Sequence, residues 1–191
     1  MSATFLPAAD HDWSRPAGRA RLLLMRHAKS DYPVGVIDHD RPLNSRGQAD
    51  AAAAAAWLAE QGTALLGDRP LVLVSSARRT QQTWQLAGAE LGLQAMYEPR
   101  LFQASDHTYL QILRDGLALA DTVLVIGHNP ATESAARMLA ANDSSSAYRA
   151  MLDKFPTSAI AVIDLPDASL TPGSGTLNAY VVPRGPRPTS R

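Results

Sequence analysis

The chain has 191 residues, 46% of them hydrophobic and 19% charged, which suits one well-buried α/β core and is short for two. Eighteen basic residues balance 18 acidic ones, so no global field draws in nucleic acid or an anionic membrane, and any anion must be recognised locally. With no cysteine, disulfides, thiol catalysis and cysteine-ligated metals are excluded. No leader pattern or membrane-length apolar run is present, which makes a cytoplasmic location the default expectation.

Residues 1–20 mix Pro7, Asp10, His11, Trp13 and Gly18 without periodicity and are expected to form a flexible arm, with Trp13 docking on the domain. The domain itself is expected over 21–182. Leu22-Leu23-Leu24-Met25 is a continuous apolar run and reads as a strand buried on both faces. It ends in Arg26-His27, and a long loop with charged residues Asp38 to Arg41 follows. Asn44 or Ser45 can cap a helix through the alanines 51–56 to about Gln61, with Gly62 placed to end it. Leu71 to Val74 is a second strand, followed by Ser75-Ser76-Ala77-Arg78-Arg79. A helix with Thr80, Thr83, Trp84, Ala87 and Leu91 on one face then runs to Gly92.

Ala95 to Leu101 reads as an outer strand interrupted by Pro99, and Ser105 can cap a third helix. Thr122 to Ile126 is another apolar strand, ending in Gly127-His128-Asn129-Pro130, where Asn as N-cap and Pro at the first helical position signal a helix start. A short helical piece near Tyr148 to Leu152 and two strands, Ala159 to Leu165 and Thr176 to Val182, follow. Residues 183–191 are expected to be a flexible tail. This alternation predicts an α/β fold, a three-layer α/β/α sandwich with a mostly parallel central sheet and an antiparallel edge.

Placed on that architecture, three strand ends deliver Arg26 and His27, Arg79, and His128 to one carboxyl edge, the edge at which open α/β sheets bind ligands. Two guanidiniums and two imidazoles beside helix N-termini form a pocket sized for a phosphoryl group. An imidazole is a competent nucleophile at neutral pH, and arginines can neutralise the charge on the moving phosphoryl oxygens. No metal or cofactor is required, and the histidines lack a metal-ligand spacing such as HExxH. His11, His39 and His107 have no comparable context and are expected to be solvent-exposed.

Arg26-His27 after an apolar strand resembles the signature of the histidine phosphatase superfamily, also called phosphoglycerate-mutase-like. The stretches Arg26-His27-Ala28-Lys29-Ser30-Asp31, Asp40-Arg41-Pro42-Leu43-Asn44-Ser45-Arg46-Gly47 and Gly127-His128-Asn129-Pro130 are similar to its SixA-type branch, over about Leu22 to Leu165. The resemblance implies that His27 is phosphorylated while Arg26, Arg79 and His128 hold the phosphate. Arg79 is taken over Arg78 because Ser75-Ser76-Ala77-Arg78-Arg79 aligns with the family's Ser-Pro-x-x-Arg, with Ser76 in place of proline. Larger members carry an acidic proton donor. Here the matching region, Glu98 to His107, offers only Glu98, Asp106 and His107, with Asp40 and Arg41 as further candidates for a substrate rim or acid, and no acid can be assigned.

The expected activity is that of a cofactor-independent phosphatase of the SixA type, acting on a phosphorylated substrate such as a phosphohistidine protein. A phosphoimidazole can leave as neutral imidazole, whereas an alkyl phosphate needs its alkoxide protonated. The alternatives are a small-molecule phosphomonoesterase or mutase of the same fold, and a non-catalytic phosphate- or phosphoprotein-binding module.

Overall fold

The computed structural model describes residues 12–14, 18–142 and 144–184. The flexible arm and tail expected at the ends fall mostly on residues 1–11, 15–17 and 185–191, which lie outside the described residues. Six strands are β1 (Ala20–Arg26), β2 (Leu71–Ser75), β3 (Ala95–Glu98), β4 (Thr122–Gly127), β5 (Ile160–Leu165) and β6 (Thr176–Val181). They form one sheet in the order β3-β2-β4-β1-β5-β6. The first four are parallel, β5 runs antiparallel to β1, and β6 antiparallel to β5. The antiparallel part is thus two strands deep. No helix intervenes between β5 and β6, and a hairpin-type return can only pair strands antiparallel.

Five helices, α1 (Ser45–Leu66), α2 (Arg78–Ala87), α3 (Asp106–Leu117), α4 (Ala131–Leu139) and α5 (Ser146–Asp153), cover the sheet. Successive strand residues point to opposite faces. Leu23, Met25, Val72, Val74, Leu124 and Ile126 pack with Trp57, Leu58 and Leu65 of α1 and Trp84 of α2. Leu22, Leu24, Val123 and Val125 pack with Tyr109, Ile112 and Leu113 of α3, Leu139 of α4 and Met151 of α5. Both faces are buried, which is why the strands read as unbroken apolar runs. No helix among the described residues is long and apolar enough to cross a membrane.

Three boundaries differ from expectation, each for a local reason. Gly62 (φ +52°) kinks α1 without ending it, because Leu65 and Leu66 continue the buried stripe; Gly67 (φ +74°) makes the true cap, its N–H donating to the Thr63 carbonyl. The second helix stops at Gly88, where the Trp84 ring leaves no space for a side chain. Asn129 does not cap α4. Its amide donates to Glu133 (2.7 Å) and to the Phe155 carbonyl (3.2 Å), the Asn129–Pro130 peptide is cis, and the helix begins at Ala131.

Trp13 is buried, its indole N–H donating to Gln61 (2.9 Å) and its carbonyl accepting from Arg21 (2.9 Å). Arg21 is itself buried and donates two bonds to Asp164, at 2.6 and 2.8 Å.

The connection from β1 to α1 is closely braced. Ser30 bridges Leu43, which closes the neck of the 31–42 loop. Asn44 caps α1 by accepting from the Gly47 N–H (2.9 Å), and its own N–H donates to the Lys29 carbonyl (3.1 Å). At Gly47 a Cβ would sit 2.1 Å from the Lys29 carbonyl oxygen, which is backbone and cannot swing aside. Gly47→Ala should therefore push the segment after His27 away from α1. Overpacking of this kind costs about 1–3 kcal/mol, and the expected outcome in urea unfolding is a lower midpoint at unchanged slope. A wild-type midpoint would show that the loop yields freely.

Candidate active site

The parallel pairing of β1 with β4 opposes Arg26 to Gly127, and the His27 N–H donates to the Gly127 carbonyl (3.0 Å). That register sets the side chains of His27 and His128 next to each other, ring centroids 5.0 Å apart and planes tilted by 56°. Both residues are 9% exposed. The ring Nδ1 of His27 lies 2.7 Å from the Ala28 carbonyl oxygen. A carbonyl only accepts, so Nδ1 carries the proton and Nε2 keeps its lone pair. In His128 the assignment is reversed. A guanidinium only donates, and Arg79 Nη2 is 3.2 Å from Nδ1, so Nδ1 accepts while Nε2–H donates to Ser75 Oγ (2.9 Å).

Arg79 is buried in the first turn of α2, whereas Arg78 beside it is exposed. It donates through Nη1 to the Asp38 carbonyl (2.6 Å) and through Nη2 to Asp38 Oδ2 (3.2 Å). Thr83, one turn further on, accepts from the Ala28 N–H (3.0 Å) and donates to the Arg79 carbonyl (2.6 Å), so α2 holds the segment after His27 directly. Arg26 donates to the Phe155 carbonyl (2.8 Å), while its Nε is buried without a hydrogen-bond partner.

Arg41 donates to Asp38 (2.6 Å), Ser30 (2.6 Å) and the Asp31 carbonyl (2.9 Å), and its guanidinium lies over the Tyr32 ring. Asp38, between Arg41 and Arg79, was not singled out from the sequence. Its carboxyl is held below the usual range, first by the Arg41 hydrogen bond and then by Arg79. His39, expected in solvent, is half-buried: Nε2 is 3.1 Å from Ser76 Oγ, Nδ1 is 2.9 Å from Asp40, and the ring packs edge-on against Phe102. Phe102 in turn meets His128 edge-on, with centroids 5.8 Å apart. Ser75 and Phe102 follow the strand-end rule that found the histidines, since β2 ends at Ser75 and Phe102 follows the turn after β3. Asp38 and His39 belong to the charged stretch Asp38 to Arg41, which reads as a candidate rim of a site without showing which of its residues reach the pocket.

The candidate acids are differently engaged. Glu98 caps the turn Pro99–Leu101 and pairs with Arg100 (2.7 Å), which pulls its carboxyl below the usual range. Asp40 is exposed on His39, and Asp106 and His107 are exposed in the first turn of α3. His11 lies outside the described residues.

Burial is the main force on both central imidazoles. It pushes His27 well below the ordinary histidine value, with His128 and the two arginines adding to the effect. It carries His128 down to about 3, with Arg79 the next cause. Both rings are therefore neutral at physiological pH, and His27 Nε2 is available without a base to deprotonate it.

Neutral imidazoles between arginines, at the carboxyl edge of a mostly parallel sheet, place the molecule among the phosphoglycerate-mutase-like α/β proteins. The family model for the histidine phosphatase superfamily (branch 1) matches residues 22–104. An uncharacterized protein of Mycobacterium tuberculosis is 39% identical over 165 residues, 84% of this chain and 100% of the relative. The SixA protein of Nakamurella multipartitia superposes with a TM-score of 0.74 at 31% identity, covering 88% of this chain and 99% of its own. A protein histidine phosphatase SixA complexed with tungstate gives 0.67 at 28% identity, covering 85% and 97%. The chain belongs to the histidine phosphatase superfamily, in its SixA-type branch.

The depressed values have a consequence for stability. Below the ordinary histidine pKa of ~6.5 the unfolded chain binds protons that folded His128 refuses until about pH 3, so stability falls as pH falls through that window. At about pH 4 His128 should contribute a loss of about 3 kcal/mol. Urea unfolding of wild type and His128→Asn at neutral pH and near pH 4 checks this, and the variant should lose much less on acidification. Equal losses would mean that His128 titrates normally in the fold.

Proposed function

We propose that this protein is a phosphohistidine phosphatase in which His27 is the nucleophile. The observation that carries this reading is the tautomer of His27. Its Nδ1 proton is fixed on the Ala28 carbonyl, which leaves an unprotonated Nε2 in a pocket flanked by Arg26 and Arg79. In the proposed first step the Nε2 lone pair attacks phosphorus and the bond to the leaving group breaks. In the second, water attacks the phosphohistidine, inorganic phosphate departs and Nε2 recovers its lone pair. Arg26 and Arg79 hold the phosphoryl oxygens, joined by His128 once its Nε2–H turns from Ser75 Oγ to the incoming oxygen, and the permanently charged guanidiniums offset the negative charge that His27 and His128, being neutral, cannot. The likeness to a SixA solved with tungstate, a tetrahedral oxyanion, supports oxyanion recognition by a chain of this fold.

Substrate choice follows from proton supply. Glu98 is paired with Arg100 and held ionised, so it is a poor acid. A phosphohistidine protonated on its second nitrogen leaves as neutral imidazole and needs no donor, which favours it over phosphoserine or a sugar phosphate. The monoesterase alternative needs a donor, and of its candidates Asp40 and Asp106 are exposed and Glu98 is paired with Arg100.

His27→Ala should abolish both turnover and acid-labile phosphate labelling; labelling at the wild-type level would remove His27 from the reaction. Arg79→Ala should lower kcat/KM by about 10²–10³-fold, as loss of an oxyanion donor does, and exposed Arg78→Ala should cost far less. The reverse order would show that the phosphate sits elsewhere along α2. With metal chelated, a phosphohistidine peptide and aryl phosphates should be cleaved well and alkyl phosphates poorly. A preference for an alkyl ester would mean that a proton donor exists.

A further inference from the structure

Arg26 has a second neighbourhood. Besides bordering the histidines, it lines a cavity of about 370 Å³ together with Lys29, Arg46, Asp50, Lys154 and Arg184. In a chain whose formal charge sums to zero, this one hollow gathers five cationic side chains, including both lysines of the sequence, around a single carboxylate. That carboxylate is already neutralised, for Asp50 is buried and accepts from Arg46 and Arg184, each at 2.9 Å. Among the described residues no ion pair involves Lys29, Lys154 or Arg26.

The cavity is built on fixed backbone. The Lys29 carbonyl is clamped by the Asn44 N–H and by Gly47, and Lys154 precedes Phe155, whose carbonyl receives Arg26. Unpaired cations held close together repel one another, and an anion among them relieves that repulsion. Because Arg26 is shared, such an anion would sit beside the phosphoryl site and not at a remote surface. On the rim of the same edge, the 31–42 loop exposes Tyr32 (70%), Val34 (103%) and Ile37 (68%). An exposed apolar group of this kind suits a protein surface better than a small ester.

We propose that this cavity is a second anion subsite, which takes an acidic side chain flanking the phosphohistidine of a protein substrate. This rests on the phosphatase reading above and adds a recognition rule to it.

The test compares two phosphohistidine peptides, one with Asp and Glu around the phosphorylated residue and one with Asn and Gln there. Wild type should prefer the acidic peptide in kcat/KM by about ten-fold or more at low salt, through KM. The double variant Lys29→Ala/Lys154→Ala should lose most of that preference, and Lys29→Glu/Lys154→Glu should invert it. No preference in wild type, or one that survives both variants, overturns the proposal. Competitive inhibition by pyrophosphate and by phosphate is measured alongside. Equal use of both peptides with lysine-dependent selectivity for pyrophosphate would assign the cavity to a compact diphosphate and overturn the protein source. If no peptide is hydrolysed, the phosphatase reading fails. The subsite is still read by anisotropy of a fluorescent acidic peptide without phosphate, whose binding must weaken in the lysine variants if the subsite exists.

Discussion

The hydrogen bond from the His27 N–H to the Gly127 carbonyl fixes the geometry on which the site depends. It extends the β1–β4 ladder one residue beyond Arg26↔Gly127 and so sets the relative height of two histidines separated by most of the chain. A slip of one residue would exchange the faces of every β1 side chain. Leu22 and Leu24 would leave the α3–α4 side for the α1–α2 side, and the His27 ring would turn away from His128. The hydrophobic cores on both faces of the sheet therefore enforce the register of the two histidines as well as stability, which is how a strand with no polar residue between Leu22 and Met25 can specify a polar site at its tip.

Above that ladder the site is held by charge. Asp38 places a carboxylate against an arginine expected to bind an anion, which at first sight works against the function. Yet a partly buried guanidinium without a partner would be costly and would adopt several rotamers. With Asp38 and His128 on its donors, Arg79 has one orientation, and Arg41 draws on the same carboxylate from the other side. The 31–42 loop, closed at its neck by Ser30 and Leu43, is thereby tied to α2 through charge rather than through apolar packing.

The parts legible in the sequence were those dictated by short-range rules. Apolar runs gave the strands, the residues ending them gave Arg26, His27 and His128, and the family's arginine spacing gave Arg79, which lies buried while Arg78 does not. The contacts of Asp38 and His39 were not legible, because the path of an irregular loop and the edge-on meeting of rings depend on contacts between segments far apart in the chain. Asn129 misled for a related reason. Its local preference is to cap a helix, but its NH2 group is held by Glu133 and the Phe155 carbonyl, and Oδ1, the atom that would cap, is buried without a hydrogen-bond partner. The basic cavity was invisible too, since Lys29, Arg46, Lys154 and Arg184 are scattered along the chain and the balanced total charge conceals their convergence.

The same accounting of donors bears on what the pocket can do with a proton. Its permanent cations are arginines, which stabilise negative charge but do not release protons under biological conditions. The two neutral imidazoles have one N–H each, and both are committed, that of His27 to the Ala28 carbonyl and that of His128 to Ser75. The imidazole with a carboxylate partner, His39, is turned towards Ser76 and separated from His128 by Phe102. Charge stabilisation is thus strong while proton delivery is weak, and a bond to phosphorus breaks easily in such a site only when the departing atom is already protonated or is a weak base. Nitrogen of a phosphoimidazole meets that condition and the oxygen of an alkyl ester does not. The chemistry of the leaving group is therefore constrained by which N–H groups the fold has used up.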